Sequence, residues 1–98
     1  MKFLGIHKSP DPKKKYEASF ETDSGRIKKT RFGDSSMEDL TQHKDEARAE
    51  RYRSRHRKDL TTGDPTRAGY LSWYILWSHP SLRAGLDEYR RKFFPHSD

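Results

Sequence analysis

Five cations recur at spacings of four, three, four and three along one segment of this 98-residue chain: Lys44, Arg48, Arg51, Arg55 and Lys58. On a helix that advances about 100° per residue they fall within roughly an 80° arc, and no Asp or Glu shares that arc. The acids Glu46 and Glu50 fall on the opposite side, beside Arg53 and Arg57, where they can compensate them. The chemistry such a stripe offers is electrostatic: it can hold phosphates or dock on an acidic protein surface. The plain alternative is a solvated face that serves only solubility. Lys28 and Lys29, with Arg31, make a second basic group on a predicted strand near Tyr16 and Phe20. Those two aromatics read first as the inner face of a sheet.

Catalytic chemistry finds little support. Histidines stand at positions 7, 43, 56, 79 and 96, with no pair at HxxxH spacing and no cysteine to help form a metal site. His43, Lys44 and Asp45 are consecutive, so on a helix they point about 100° apart and do not converge on one atom. No GxSxG elbow, no paired serine and lysine of catalytic spacing and no glycine-rich phosphate loop appears. The expectation is a non-enzymatic protein without metal, cofactor or small-molecule substrate. Trp73, Tyr74 and Trp77 could stack on bases, but no basic residue lies between Arg67 and Arg83, so they read as core.

The bulk composition sets limits on the elements that must position these residues. Charged residues are 37% and hydrophobic residues 30% of the chain, and the formal net charge is +6. Aliphatic content is low, but two Trp, five Tyr and five Phe can build a thin aromatic core. The absence of cysteine excludes disulfides, and no stretch is long and apolar enough for a membrane span or a signal peptide, so a non-secreted protein is expected.

The pattern predicts a single domain over 1–98 in three parts. Residues 1–35 form a β-hairpin region, with a short strand at Lys2 to Ile6, then Tyr16, Ala18 and Phe20 alternating with polar residues. Thr22 to Gly25 supply a turn, and Arg26 to Phe32 return antiparallel, with a bulge or early end because Ile27 and Phe32 differ in parity. Residues 36–63 form a charged helix and loop, opened by a Ser36–Asp39 capping pattern and running to about Lys58. It packs by a narrow edge of Met37, Leu40, Ala47 and Tyr52. Residues 64–98 form a helical hairpin. Asp64-Pro65 starts its first, Trp-rich helix, and Leu82, Leu86, Tyr89 and Phe93 form a stripe that docks on Trp73 and Trp77. Arg83–Asp87, Asp87–Arg91 and Glu88–Lys92 are expected as ion pairs within the second helix. The fold class is α+β: a two- or three-stranded antiparallel sheet followed by three helices around an aromatic core.

Three blocks in order carry a resemblance: HKDEARAERYRSRH at 43–56, the Asp64 to Gly69 helix start, and SWYILWSHPSLRA at 72–84. Together they resemble a small family of uncharacterised basic proteins of large double-stranded DNA viruses of algae and protists, over roughly residues 13–94. The resemblance implies a virion, or a host cell interior during infection, as the location. Two functions are expected from it and from the charge pattern. The first is a viral structural protein, a minor capsid or cement-type component whose partners are capsid proteins or other virion components. The alternative is a protein that contacts the phosphates of DNA or RNA through Lys44, Arg48, Arg51, Arg55 and Lys58.

Overall fold

The computed structural model describes residues 1–96, so the last two residues of the expected 64–98 unit lie outside it. Strands β1 (Lys2–Lys8), β2 (Lys14–Glu21) and β3 (Ile27–Asp34) form one antiparallel sheet in the order β1-β2-β3. Helices α1 (Leu40–His43), α2 (Glu46–His56), α3 (Ala68–Leu71) and α4 (Leu82–Phe93) follow. A 3-10 turn over Arg57–Thr62 continues α2, and a π-helical turn over Ser72–Leu76 continues α3. The chain therefore has the expected α+β architecture, a sheet followed by helices around a buried aromatic cluster.

Alternation along β2 sets the two faces of the sheet. Ala18 and Phe20 are fully buried beneath the helices, and Phe20 lies opposite Phe3 on β1. The Thr22 to Gly25 turn is closed by Thr22 N–H donating to the Arg26 carbonyl and Gly25 N–H donating to the Thr22 carbonyl. The expected bulge in β3 is absent: the ladder keeps its register from Ile27 opposite Glu21 to Phe32 opposite Tyr16. Ile27 is instead 51% exposed. Its change of parity reflects an outward-facing isoleucine, and the register shift occurs in β1, between Phe3 and Gly5.

On the outward face Glu17 is buried between Arg31 and His7 on the neighbouring strands. Arg31 Nε donates to one carboxylate oxygen at 3.0 Å, and His7 Nε2 lies 2.8 Å from the other. The Arg31 hydrogen bond, followed by that of His7, holds the Glu17 carboxyl below its usual range.

Aromatic rings join the sheet to the last helix. Tyr89 meets Phe3 edge-on at 5.1 Å, and Phe94 packs on both Phe3 and Phe20. Such pairs add about 0.5–1.5 kcal/mol each beyond the surface they bury. The Tyr89 hydroxyl is satisfied by the Pro65 carbonyl at 2.5 Å. Phe93 turns toward Tyr70 and Tyr74, with ring centroids at 5.6 and 5.1 Å. The α4 stripe thus docks on the tyrosine side of the preceding helix. The expectation that it faces Trp73 and Trp77 is corrected: both tryptophans are buried, but their ring partners lie at α2 and its flanks.

Helix starts also differ from expectation. Asp64 does not open a helix at Pro65. Its carboxylate accepts from Thr66 N–H and from the Thr66 hydroxyl, which folds residues 64–66 into an Asx turn, and α3 begins only at Ala68. Ser81 caps α4 by accepting from Ala84 N–H, so Pro80 precedes the cap. Within α4 the three expected ion pairs do not form among the described residues. Glu88 meets His79 at 3.1 Å, and Lys92 lies over the Tyr74 ring.

The close approach of α4 to the π-helical turn depends on Gly85. A Cβ there would sit 2.5 Å from the Ile75 carbonyl oxygen and 2.8 Å from that of Tyr74. Backbone atoms cannot rotate aside as a side chain can. Gly85→Ala is expected to destabilise the fold by about 1–3 kcal/mol through overpacking, measured by urea denaturation. An unchanged midpoint would contradict this packing.

The Glu17 cluster sets a pH dependence. A carboxyl depressed in the folded state stabilises above its ordinary value near 4.5, and that contribution is lost as pH falls through the depressed value. Glu17→Gln is therefore expected to flatten the acid limb of a stability profile followed by circular dichroism. A limb of wild-type steepness would assign the acid sensitivity to other carboxyls.

Candidate functional site

The cationic segment is not one helix. Asp39, rather than Ser36, provides the N-cap of α1: it accepts from Thr41 N–H, while the Gln42 side chain accepts from Asp39 N–H. After one turn the chain reaches Lys44 in the left-handed conformation, with φ of 59°. His43 Nδ1 accepts from Asp45 N–H, and the Asp45 carboxylate caps the new helix by accepting from Arg48 N–H. These side-chain bonds satisfy backbone groups that a continuous helix would have satisfied itself, so the helix stops and restarts.

The break removes Lys44 from the stripe. Its ammonium donates to the Pro80 carbonyl at 2.5 Å, tying the α1–α2 corner to the start of α4. Lys58 lies in the 3-10 turn beyond α2, where the helical register no longer holds, although it remains exposed. Arg48, Arg51 and Arg55 stay together on α2, the first half-exposed and the other two exposed. Among the described residues, none of these three nor Lys58 has a carboxylate within ion-pair distance.

The other flank of α2 is locked. Tyr52 stacks almost parallel on Trp77, with centroids 4.0 Å apart and planes at 6°, and the His56 ring stacks on Tyr52 at 4.1 Å. Burial, then the charge of Asp59, pushes the Tyr52 phenol up to about 12, against an opposing hydrogen bond with Ser72. Arg53 reaches both Glu46, at 2.6 Å, and the Trp77 carbonyl. Arg57 lies over the Trp73 ring, so the expected compensation by acids holds for Arg53 alone. Ala49, rather than Ala47, is the small residue buried beneath the helix. His56 Nδ1 meets Asp59 at 3.1 Å.

Beneath α1 lies a nearly buried ion pair that sequence reasoning missed. Lys15 Nζ meets Asp39 at 2.7 Å, with side-chain exposures of 13% and 3%, and also donates to Gln42. Gly33 makes room for it. At φ of +84°, with Leu76 and the Lys15 stem closing on the position of any Cβ, only glycine fits there without strain. The signal in the sequence was only a lysine inside an alternating strand, which reads as solvent-facing.

Lys28 and Lys29 do not act as a pair. Lys28 donates to the Thr66 hydroxyl at 2.7 Å and lies 4.0 Å from Asp64. The cleft beside it, about 530 Å³, sets Lys28 and Arg67 against Asp59 and Asp64, so it carries no net positive charge. Lys29 is exposed on the other face of β3, opposite Ser19. Among the described residues no three His, Asp or Glu side chains are grouped so as to hold a metal ion, and no helix is long and apolar enough to cross a membrane.

Residues 4–56 match the model of a family described as a family of unknown function (DUF5754), and the chain belongs to that family. The match spans the sheet, α1 and α2, hence the three arginines and the Lys15–Asp39 pair, and stops before the blocks at 64–69 and 72–84. No curated protein and no solved structure matches the chain.

The Lys15–Asp39 pair generates a direct test. Asp39→Ala removes the α1 cap and leaves an enclosed ammonium without its counter-charge. A loss of about 3–5 kcal/mol is expected in chemical denaturation. Asp39→Asn retains a capping acceptor and should lose less. Equal losses for the two variants would show that the cap contributes nothing, and an Asp39→Asn variant as stable as the wild type would show that the charge contributes nothing.

Proposed function

We propose that the chain is a non-enzymatic binding protein that contacts nucleic-acid phosphates, without sequence preference, through Arg48, Arg51 and Arg55, with Lys58 at the edge. The observation that carries this reading is the division of α2 into two flanks. Arg53 and Arg57 are engaged by Glu46, the Trp77 carbonyl and the Trp73 ring, whereas the three arginines of the other flank meet no carboxylate among the described residues. Arg48 to Arg55 rises about 10.5 Å along the helix, and one DNA strand carries a charge about every 3.4 Å of duplex axis, so the three guanidinium groups span a length that holds several phosphates. A rigid helix presenting free guanidinium groups at that spacing favours polyanion contact and supplies no readout of base edges.

The second reading is a structural protein of the virion, a minor capsid or cement-type component whose arginine flank docks on an acidic capsid subunit. It is supported by the resemblance to basic proteins of large DNA viruses, and the same residues would serve it. In that setting the protein would act in the particle or inside the host cell.

Replacing Arg48, Arg51 and Arg55 together by Gln separates the readings. Phosphate binding predicts that the slope of log affinity against log salt flattens by about three units in filter binding to duplex DNA. Docking on a capsid subunit predicts unchanged DNA binding and loss of the folded variant from assembled particles. No change in either assay would leave the flank a solvated surface and refute both.

A further inference from the structure

A second cationic site lies at the opposite end of the matched segment, where the β1–β2 connection faces α1. A cleft of about 580 Å³ there is lined by Lys8, Lys14, Lys15, Tyr16, Ser35 and Gln42, among other residues, and no carboxylate of the described residues lines it. Its volume falls within the range of small-molecule and cofactor sites. Lys15 is neutralised by Asp39. Lys8 and Lys14 are exposed, and among the described residues neither ammonium has an ion-pair partner. The nearest acid in register, Asp34 opposite Lys14, is occupied by Ser36, whose N–H and hydroxyl both donate to its Oδ1. Two ammonium groups without an ion pair therefore line the recess, Lys14 with the charge of Asp34 nearby.

The recess also has an aromatic wall and a braced frame. Tyr16 lies directly opposite Lys8 in the ladder, half-buried, with its ring 5.8 Å from that of Phe32. Ser9 N–H donates to the Lys15 carbonyl at 3.1 Å, and the Ser35 hydroxyl donates to the Pro12 carbonyl at 2.7 Å. The lysines thus extend from a fixed rim, while the Gln42 amide, held by Lys15 and Asp39, closes the far side. Exposed ammonium groups beside an aromatic ring match a phosphate joined to a planar base.

We propose that this cleft binds a nucleotide, with the Lys8 and Lys14 ammonium groups on its phosphate and the Tyr16 ring against its base. The site shares no residue with the α2 flank and does not depend on that flank's function. The nucleotide is either free or part of a single strand.

The test follows amide shifts of the full chain during separate titrations with thymidine monophosphate, the oligomer (dT)8 and inorganic phosphate. The nucleotide or the oligomer is expected to move the amides of Lys8, Lys14 and Tyr16. The Lys8→Gln, Lys14→Gln double variant, which removes no side-chain hydrogen bond or ion pair among the described residues, is expected to melt close to the wild type and to lose about tenfold or more in affinity. The Arg48, Arg51, Arg55 triple Gln variant is expected to retain these shifts, which separates the two sites. Binding of the oligomer alone assigns the nucleotide to a strand, and equal per-site binding of both assigns it to a free molecule. Inorganic phosphate binding as tightly as the nucleotide would overturn the role of Tyr16. Absent shifts at these three residues, or full affinity in the double variant, would overturn the site.

Discussion

The parallel stack of Tyr52 on Trp77 is the contact on which the arrangement of α2 depends. The segment from Leu40 to Thr62 is broken into a four-residue helix, an eleven-residue helix and a 3-10 turn, and little of it is apolar. Intrinsic helix propensity alone leaves pieces of this length marginal. Trp77 supplies the missing tertiary contact. Its ring takes Tyr52 on one side and approaches His43 at 5.5 Å, and its carbonyl takes Arg53. The π-helical turn sets Trp77 in that position, and Gly85 lets α4 press on the turn from behind. The aromatic cluster shared by sheet and α4 is thus linked, through one indole, to the helix that bears the arginines.

Charge pairing divides the cations into two populations. Those that cross between elements have partners: Lys15 with Asp39, Lys28 with Thr66 and Asp64, Arg31 with Glu17, Arg53 with the Trp77 carbonyl, and Lys44 with that of Pro80. These bonds hold sheet and helices in register. The exposed population includes Arg51 and Arg55, with half-exposed Arg48 beside them, and the lysines of the β1–β2 rim. In a chain with net charge +6, part of the excess positive charge lies on such surfaces.

The sheet was legible because alternation is a short-range signal that burial enforces. Tyr16, Ala18 and Phe20 sit on one face as their spacing requires, and the turn at Thr22 to Gly25 closes as its residues demand. The helical half was less legible because local capping competed with helix propensity. His43 and Asp45 break a run of helix formers, and Asp64 prefers an Asx turn to a helix start, choices decided by side-chain hydrogen bonds that spacing does not show. The tryptophans read correctly as core, yet their direction was hidden, since a helix apolar nearly all round does not reveal which partner each ring meets. Lys28 and Lys29 looked like one basic group. Alternation in β3 separates them, and only the position of Thr66, 38 residues further on, shows that Lys28 is tied. Arg48, Arg51 and Arg55 remained together because the break falls before them.

The central claim is that one flank of α2 is held rigid so that three specific guanidinium groups meet phosphates. Chemical modification of arginines by phenylglyoxal, mapped residue by residue in the presence and absence of duplex DNA at low salt, tests it most directly. Protection confined to Arg48, Arg51 and Arg55, with Arg83 and Arg91 on α4 reacting equally in both states, is the predicted result. Protection spread evenly over all exposed arginines, or absent from these three, would contradict the account.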